Sequence, residues 1–547
     1  MNPNVLLSPA AGDALFRGFD RLAELLACTL GPTRGHALSE SLTSRSNRPE
    51  IVDDAAVIAR RMMQFPDRGE DVGAMLLRQL VWRVHQRVGD GSATAAVIAQ
   101  AVLRAGRRLA AGGAGVMALR TGMEKALSVV RTSLHAQARP VRDYGDLIRI
   151  ALTATGEENL SVALGEMFHN LGADAHIDVE EYIAPYIERD YHEGGRWKAR
   201  IASAYLYTDP AAHKADVHKA MVALFAGDVE RVDQIAPLLR LASALAPEGD
   251  QVPAIAVFAH ETRGEALATL ITNAQQKRLR AVAVDLRRAG AEREADFADL
   301  ATITGARVFD PVAGDALEAL TERDIGFAAR VLASPTDAIV AGEGREAARD
   351  AAIRTLRRKA GNKALDESAR DDARFRIARL IGQLGTLKIG AHTEAERASL
   401  RLKADKGLRI LPRALEQGWV PGGGVALLVA ADAVRAAAET YPDREHAWGA
   451  RALAEALEAP FNRLLSNARL EPAPLAATLR AKRARRGGGM WGYDLVAGEL
   501  RNMPEAGVLE AAGVLEDVVA AAVSGALMAL TTEVTVLRAD PPTMTEP

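Results

Sequence analysis

Apolar residues recur at helical spacing from Asp13 to Thr29: Leu15, Phe16, Phe19, Leu22, Leu25 and Leu26. The run stops at the Gly31-Pro32 breaker. Val72 to Arg87 and Gly91 to Ala110 carry the same periodicity, and Gly112-Gly113 closes the second of them. From about Arg189 the pattern changes. Short β-rich runs occur at Arg200-Ile201, Tyr205 to Tyr207, Ala220 to Phe225, Ile255 to Phe258 and Ala281 to Val284. Helical patterns at Val232 to Leu245 and Glu265 to Gln276 alternate with them. Helical periodicity returns from about Asp350, and Gly422-Gly423-Gly424 opens another alanine-rich helix. The pattern predicts a helical region at each end of the chain and an α/β region between them, with both ends folding into one domain.

Composition narrows the picture. A chain of 547 residues is too long for one core, so two to four domains are expected. Abundant alanine and few aromatics predict long helices packed through small side chains. A net charge of −3 gives no reason to expect a nucleic-acid partner. The basic run Lys482 to Arg486 reads as a solvated helix end. Cys28 is the only cysteine, which excludes a disulfide framework or a cysteine-based zinc site within one chain and suits a reducing cytoplasm. MNPNVLLSPAAGD lacks the basic start and long apolar core of a signal peptide. Val518 to Thr532 is apolar but short and rich in small residues, so it reads as a buried helix and no membrane partner is expected. The final DPPTMTEP reads as a disordered tail.

Four pieces carry candidate chemistry: Thr29 to Gly35 (TLGPTRG), Asp53-Asp54, Gly89 to Thr94 (GDGSAT), and Pro421 to Gly424 (PGGG). Glycines admit a ligand close to the backbone, and the first amides of a helix favour an anion. Ser92 and Thr94 offer hydroxyls. Asp90 repels a phosphate directly but suits Mg²⁺, a hard cation held by one or two carboxylates plus phosphate oxygens. Taken singly, each piece is ordinary: a glycine-aspartate-glycine turn before a helix, or an aspartate at an N-cap.

Their order is not ordinary. TLGPTRG, VGDGSATAAVIAQAV, HIDVEEY, GEALATLITN, DLATITGARVF, RIARLIGQLGTLKIGAHTEAE, EQGWVPGGGVALL, GYDLVAGELRNMPEAGVLE and ALMALTTEVTV follow one another along nearly the whole chain. In this series the sequence resembles the group I chaperonins, the GroEL type. The resemblance implies a multidomain α/β chaperonin fold. An equatorial ATP-binding domain would span 1–138 and 417–547, an intermediate domain 139–193 and 383–416, and an apical polypeptide-binding domain 194–382. It implies stacked rings, ATP and Mg²⁺ as cofactors, non-native polypeptides as clients, and a lid co-chaperonin as a further partner.

The resemblance also assigns residues. Thr29, Leu30, Gly31 and Pro32 would line the adenine and α-phosphate side. Asp90 would hold Mg²⁺, with Gly91, Ser92, Ala93 and Thr94 around the phosphates; Ala93 replaces one of three family threonines. Gly423 and Glu510 would contact the ribose, Glu510 replacing an aspartate. Asp494 and Leu495 would lie near the base, where the family has asparagine and alanine. Ile201, Tyr205, Leu206, Leu239, Leu267 and Ile271 would form the exposed apolar surface that captures clients, together with Ala236 and Thr272, which are smaller or more polar than the family norm. Gly194 and Gly382 would serve as apical hinges.

Two departures touch catalysis. Asp54 keeps the position of a carboxylate involved in hydrolysis, but Asp53 replaces a lysine near the phosphates, a change of two charge units. Counted back without a gap from the glycine triplet, Lys406 replaces the aspartate that orients the attacking water, and Asp405 matches a glutamate. Adjacent helical residues point about 100° apart, so Asp405 does not simply substitute. If Lys406 enters the site, it supplies the charge that Asp53 removed without activating water; if it faces solvent, the ungapped register is off by one. Two functions therefore stand side by side. One is an ATP-dependent chaperonin subunit that refolds polypeptides in a ring. The other is a hydrolysis-deficient paralogue acting as an ATP-binding holdase, scaffold or modifier of a conventional chaperonin.

Overall fold

A computed structural model describes residues 4–32, 35, 37–39, 50–62, 64–244, 252–362, 364–486 and 490–537. The tail DPPTMTEP and the Thr33-Arg34 part of TLGPTRG lie outside them. The chain forms two compact units, Met1–Ala173 with Ala391–Pro547, and Asp174–Gly390.

The first unit contains both ends of the chain. Strand Asn4–Leu7 pairs antiparallel with Val534–Leu537. Its long helices include Ala10–Ala27, Arg68–Val88, Ser92–Ala111, Val116–Gln137, Arg444–Asn467 and Ala512–Leu530. Small residues set their spacing, as the alanine content predicts. A Cβ built on Gly18 would stand 1.7 Å from the Glu70 carbonyl oxygen, and one on Gly73 would stand 1.9 Å from that of Leu15. Helices Ala10–Ala27 and Arg68–Val88 thus cross backbone to backbone. Helix Ala512–Leu530 is long and apolar enough to cross a membrane, yet Val518, Val519, Ala522, Val523 and Ala526 are buried in the core of this unit.

The second unit is built on a closed sheet. Strands Ala215–Phe225, Gly326–Ala333, Asp337–Gly342, Gly195–Ile201, Arg280–Leu286 and Ala254–Ala259 follow in that order, and the last pairs back onto the first. Closure leaves none of the six as a free edge, although Val308–Phe309 adds to the outside of Ala215–Phe225. Ala254–Ala259 is buried at every position and Arg280–Leu286 at all but its first, and Trp197, Phe258 and Phe309 are among the fully buried side chains of this unit. Separately, strand Leu384–Ile389 lies between the parallel His176–Glu181 and the antiparallel Ile187–His192. Gly194 and Gly382 stand against each other, a Cβ on the second falling 3.6 Å from the first residue's nitrogen.

Two local expectations are corrected. Tyr205 to Tyr207 is not a strand. Ala204–Leu206 is one turn of 3-10 helix, because the Ser203 hydroxyl accepts the Tyr205 amide and closes the turn. The basic end of helix Pro472–Arg486 is not simply solvated either. The Lys482 ammonium lies 3.7 Å from the Trp491 ring centre, and the Arg483 side chain is mostly buried beside Asp432.

Candidate functional site

The site in the first unit forms where helix Arg68–Val88 ends and helix Ser92–Ala111 begins. Gly89 and Gly91, with φ of 81° and 80°, turn the chain between them. Left-handed backbone suits glycine, and packing demands it as well. A Cβ on Gly89 would come within 2.9 Å of the Arg409 Cβ and 3.3 Å of the Lys406 carbonyl oxygen, and one on Gly91 within 2.4 Å of Val518. The loop therefore lies directly on helix Glu394–Gln417.

That helix holds the loop with one face. Arg409 donates from Nη1 to the carbonyls of His85 and Gln86, at 3.0 and 3.1 Å. Arg413 donates to the Arg87 carbonyl at 2.9 Å and pairs with Asp517 at 2.6 Å. Cations at the last carbonyls of a helix satisfy groups that have no partner within it. Lys406 is one turn before Arg409 on the same face. Its Nζ lies 2.8 Å from Asp90 Oδ1 and 3.6 Å from Asp54 Oδ2, with the lysine side chain only 15% exposed.

Asp54 has two jobs. It is the N-cap of helix Ala55–Arg61, and its Oδ1 accepts the amides of Ala56 and Val57 at 2.8 and 3.2 Å. Its Oδ2 is the oxygen facing Lys406. Asp53 precedes it, partly buried. Burial pushes the Asp405 carboxyl up against the opposing charges of Arg401, Arg409 and His85.

The expected phosphate cradle gathers around the first turn of helix Ser92–Ala111. Ser92 is 5% exposed, and its hydroxyl has no hydrogen-bond partner among the described residues. Such an orphaned buried oxygen has an acceptor or donor to spare for a ligand. Ala93 and Thr94 are partly buried on the same turn. Across the site, strand Trp419–Pro421 pairs with Leu509–Ala511, which sets Glu510 opposite Val420 and close to the glycine triplet. Glu510 Oε1 accepts the Gly423 amide at 3.1 Å. Burial, helped by the charge of Asp90, pushes its carboxyl up to about 7.

At the end expected to hold the base, Thr29 is buried and its hydroxyl donates to the Leu26 carbonyl at 2.8 Å. Asn467 Nδ2 donates to the carbonyls of Ala27 and Leu30, both at 2.9 Å, and so fixes the turn into Gly31 and Pro32. Leu495 stands beside Gly31, its Cδ1 3.9 Å from where a Cβ would be. Asp494 is occupied: it accepts the amides of Val496 and Ala497, each at 3.0 Å, and pairs with Arg501 at 3.2 Å. Its carboxylate thus closes a turn. His85 and Asn467 are members of this region that sequence reasoning missed. His85 stacks on Trp82, its Nδ1 is buried without a partner among the described residues, and burial lowers its pKa against the opposing pull of Asp54.

Mg²⁺ fits this arrangement poorly. It takes oxygen ligands in near-octahedral geometry at about 2.0–2.1 Å. The Asp90 oxygen it would use already receives the Lys406 ammonium, a like charge at contact distance. Among the described residues no cluster of three or more His, Cys, Asp or Glu side chains offers a metal cage.

In the second unit the six candidate client-binding residues separate. Ile201 and Leu206 are buried in the core and offer no surface. Leu239, Leu267 and Ile271 are partly buried and pack against that core. Tyr205 is 73% exposed. Of the two smaller positions, Ala236 is partly buried and Thr272 exposed.

The resemblance carried by the ordered motifs is matched by a direct comparison. The model of the TCP-1/cpn60 chaperonin family aligns with residues 22–225 and 271–540, two blocks that contain the Asp54, Asp90, Lys406, Gly423 and Glu510 positions alike. The chain belongs to the TCP-1/cpn60 chaperonin family.

Proposed function

We propose that this chain is a chaperonin subunit that binds adenine nucleotide in its first unit and holds non-native polypeptide through its second, with hydrolysis suppressed. Chaperonins in general use ATP, bind non-native polypeptides and form oligomeric rings. The subunit assembles with itself or with a paralogous chaperonin, acts as a holdase or modifier, and takes a lid co-chaperonin only if its client surface also accepts one.

One observation carries the suppression: the contact of Lys406 with Asp90 and Asp54. Water attack on a phosphoryl group needs an acceptor that orients the water. An ammonium has no lone pair and cannot accept a proton. Asp405, its neighbour on the helix, is a carboxyl that burial pushes up. Nucleotide binding is supported by the glycine loop, the orphaned Ser92 hydroxyl and the Glu510–Gly423 contact. The test is single-turnover ATP hydrolysis with nucleotide binding measured in parallel. Binding without turnover is expected, and turnover at the rate of a conventional chaperonin overturns the proposal.

A further inference from the structure

We propose that the ε-ammonium of Lys406 replaces the divalent cation at Asp90, so that nucleoside di- and triphosphates bind this pocket free of metal. The inference rests on the nucleotide-binding function proposed above and goes beyond it by naming the ionic form of the ligand.

Three observations support it. First, the cation position at Asp90 is filled from within the chain: Nζ is 2.8 Å from Oδ1, and the same nitrogen is 3.6 Å from Asp54 Oδ2. A nitrogen between two carboxylates sits where a bridging cation would, and a divalent ion there would meet its charge at close range. Second, the lysine is held in place. Arg409 and Arg413 anchor its helix to the carbonyl end of helix Arg68–Val88, and Gly89 admits the close approach. Moving Lys406 out means disturbing that contact or bending a side chain that is mostly buried. Third, the groups beside the ammonium that would meet phosphate oxygens need no metal. The buried Ser92 hydroxyl lacks a partner among the described residues, and it opens a helix of 20 residues whose first amides favour an anion.

The charges the resemblance implies are consistent with this: Asp53 and Lys406 carry signs opposite to those it implies, so the sum over the two positions is unchanged while a positive charge stands next to Asp90.

The experiment uses the assembled full-length protein. ADP and ATP binding is measured calorimetrically in EDTA and in excess Mg²⁺, and Mn²⁺ alone is titrated by electron paramagnetic resonance. The wild type is expected to bind nucleotide with affinities within about threefold under the two conditions, while Lys406→Asp gains more than about tenfold from Mg²⁺. Mn²⁺ is expected to find no site that Asp90→Asn abolishes in the wild type, and to find one in Lys406→Asp. Lys406→Met, which keeps the length and removes the charge, serves as the second variant should the aspartate impair folding; it too gains a Mn²⁺ site. Nucleotide binding by the wild type only with Mg²⁺, or a wild-type Mn²⁺ site lost in Asp90→Asn, overturns the inference and leaves nucleotide binding intact. Absence of nucleotide binding in all proteins and conditions overturns the proposed function itself, and this inference with it.

Discussion

Lys406 Nζ lies 2.8 Å from Asp90 Oδ1, a contact between a helix that comes late in the chain and a glycine loop more than 300 residues earlier. It places a cation between the carboxylates of Asp90 and Asp54. Most other features of the site can be understood from their distance to this pair.

Asp54 joins the pair and also caps a helix, and the two roles separate experimentally. Asp54→Ala removes both and is expected to lower stability by about 1 kcal/mol. Asp54→Ser retains a capping oxygen while removing the charge facing Lys406, and its loss should be only a few tenths of a kcal/mol. Equal losses in chemical denaturation of the two variants would show that the carboxylate's contact with Lys406, rather than the cap, holds this corner together.

Glu510 makes stability depend on pH. Its folded pKa of about 7 stands above the ordinary glutamate value. The native state therefore keeps a proton that the unfolded chain has already released. The contribution is fully present below the ordinary value and is lost as pH rises through about 7, on the order of 3 kcal/mol in all. Glu510→Gln still accepts the Gly423 amide and cannot ionise. Its stability relative to wild type should rise between about pH 5 and about pH 8. A constant difference across that range would contradict the shift.

In the second unit, Arg379 is buried with Asp296 at 2.6 Å and also pairs with Asp299, over the face of Trp197. Removing Arg379 leaves buried Asp296 with only Arg288 at 3.8 Å, while Asp299 keeps its pair with Arg376. Arg379→Ala is expected to cost about 3–5 kcal/mol or to prevent folding of this unit. A change below about 1 kcal/mol in thermal or chemical unfolding would mean that water reaches the pair.

Client capture should depend on Tyr205 and not on its neighbours in the core. Tyr205→Ser is expected to weaken binding of a reduced, unfolded model polypeptide several-fold with unfolding temperature unchanged. Leu206→Ala should instead act through stability, by about 2–4 kcal/mol. The reverse result would place the capture surface elsewhere.

The sequence carried the site unevenly. Helix Ser92–Ala111 and its glycine loop were legible because periodicity and breakers are local signals. The Lys406 substitution was visible as well, but its partner was not. Pairing with Asp90 depends on how helix Glu394–Gln417 docks, and Arg409 and Arg413 at helical spacing were the available clue. His85 carries no local signal of a site; only the fold puts it near Asp54. The closed six-stranded sheet was hidden for the same reason, since its closing pair joins Ala215–Phe225 to Ala254–Ala259 without a turn signal. At Asp494 the local signal is a turn: its short side chain bonds its own turn. Core and surface at Tyr205 and Leu206 could not be separated by pattern, because a short turn rather than a strand presents them.

The most direct measurement is single-turnover ATP hydrolysis by assembled wild type and Lys406→Asp, with bound nucleotide quantified in the same samples. Wild type should retain bound ATP without converting it, and the aspartate variant should convert it in the presence of Mg²⁺. Conversion by wild type at the same rate as the variant would contradict the assignment of Lys406 as the residue that stops turnover.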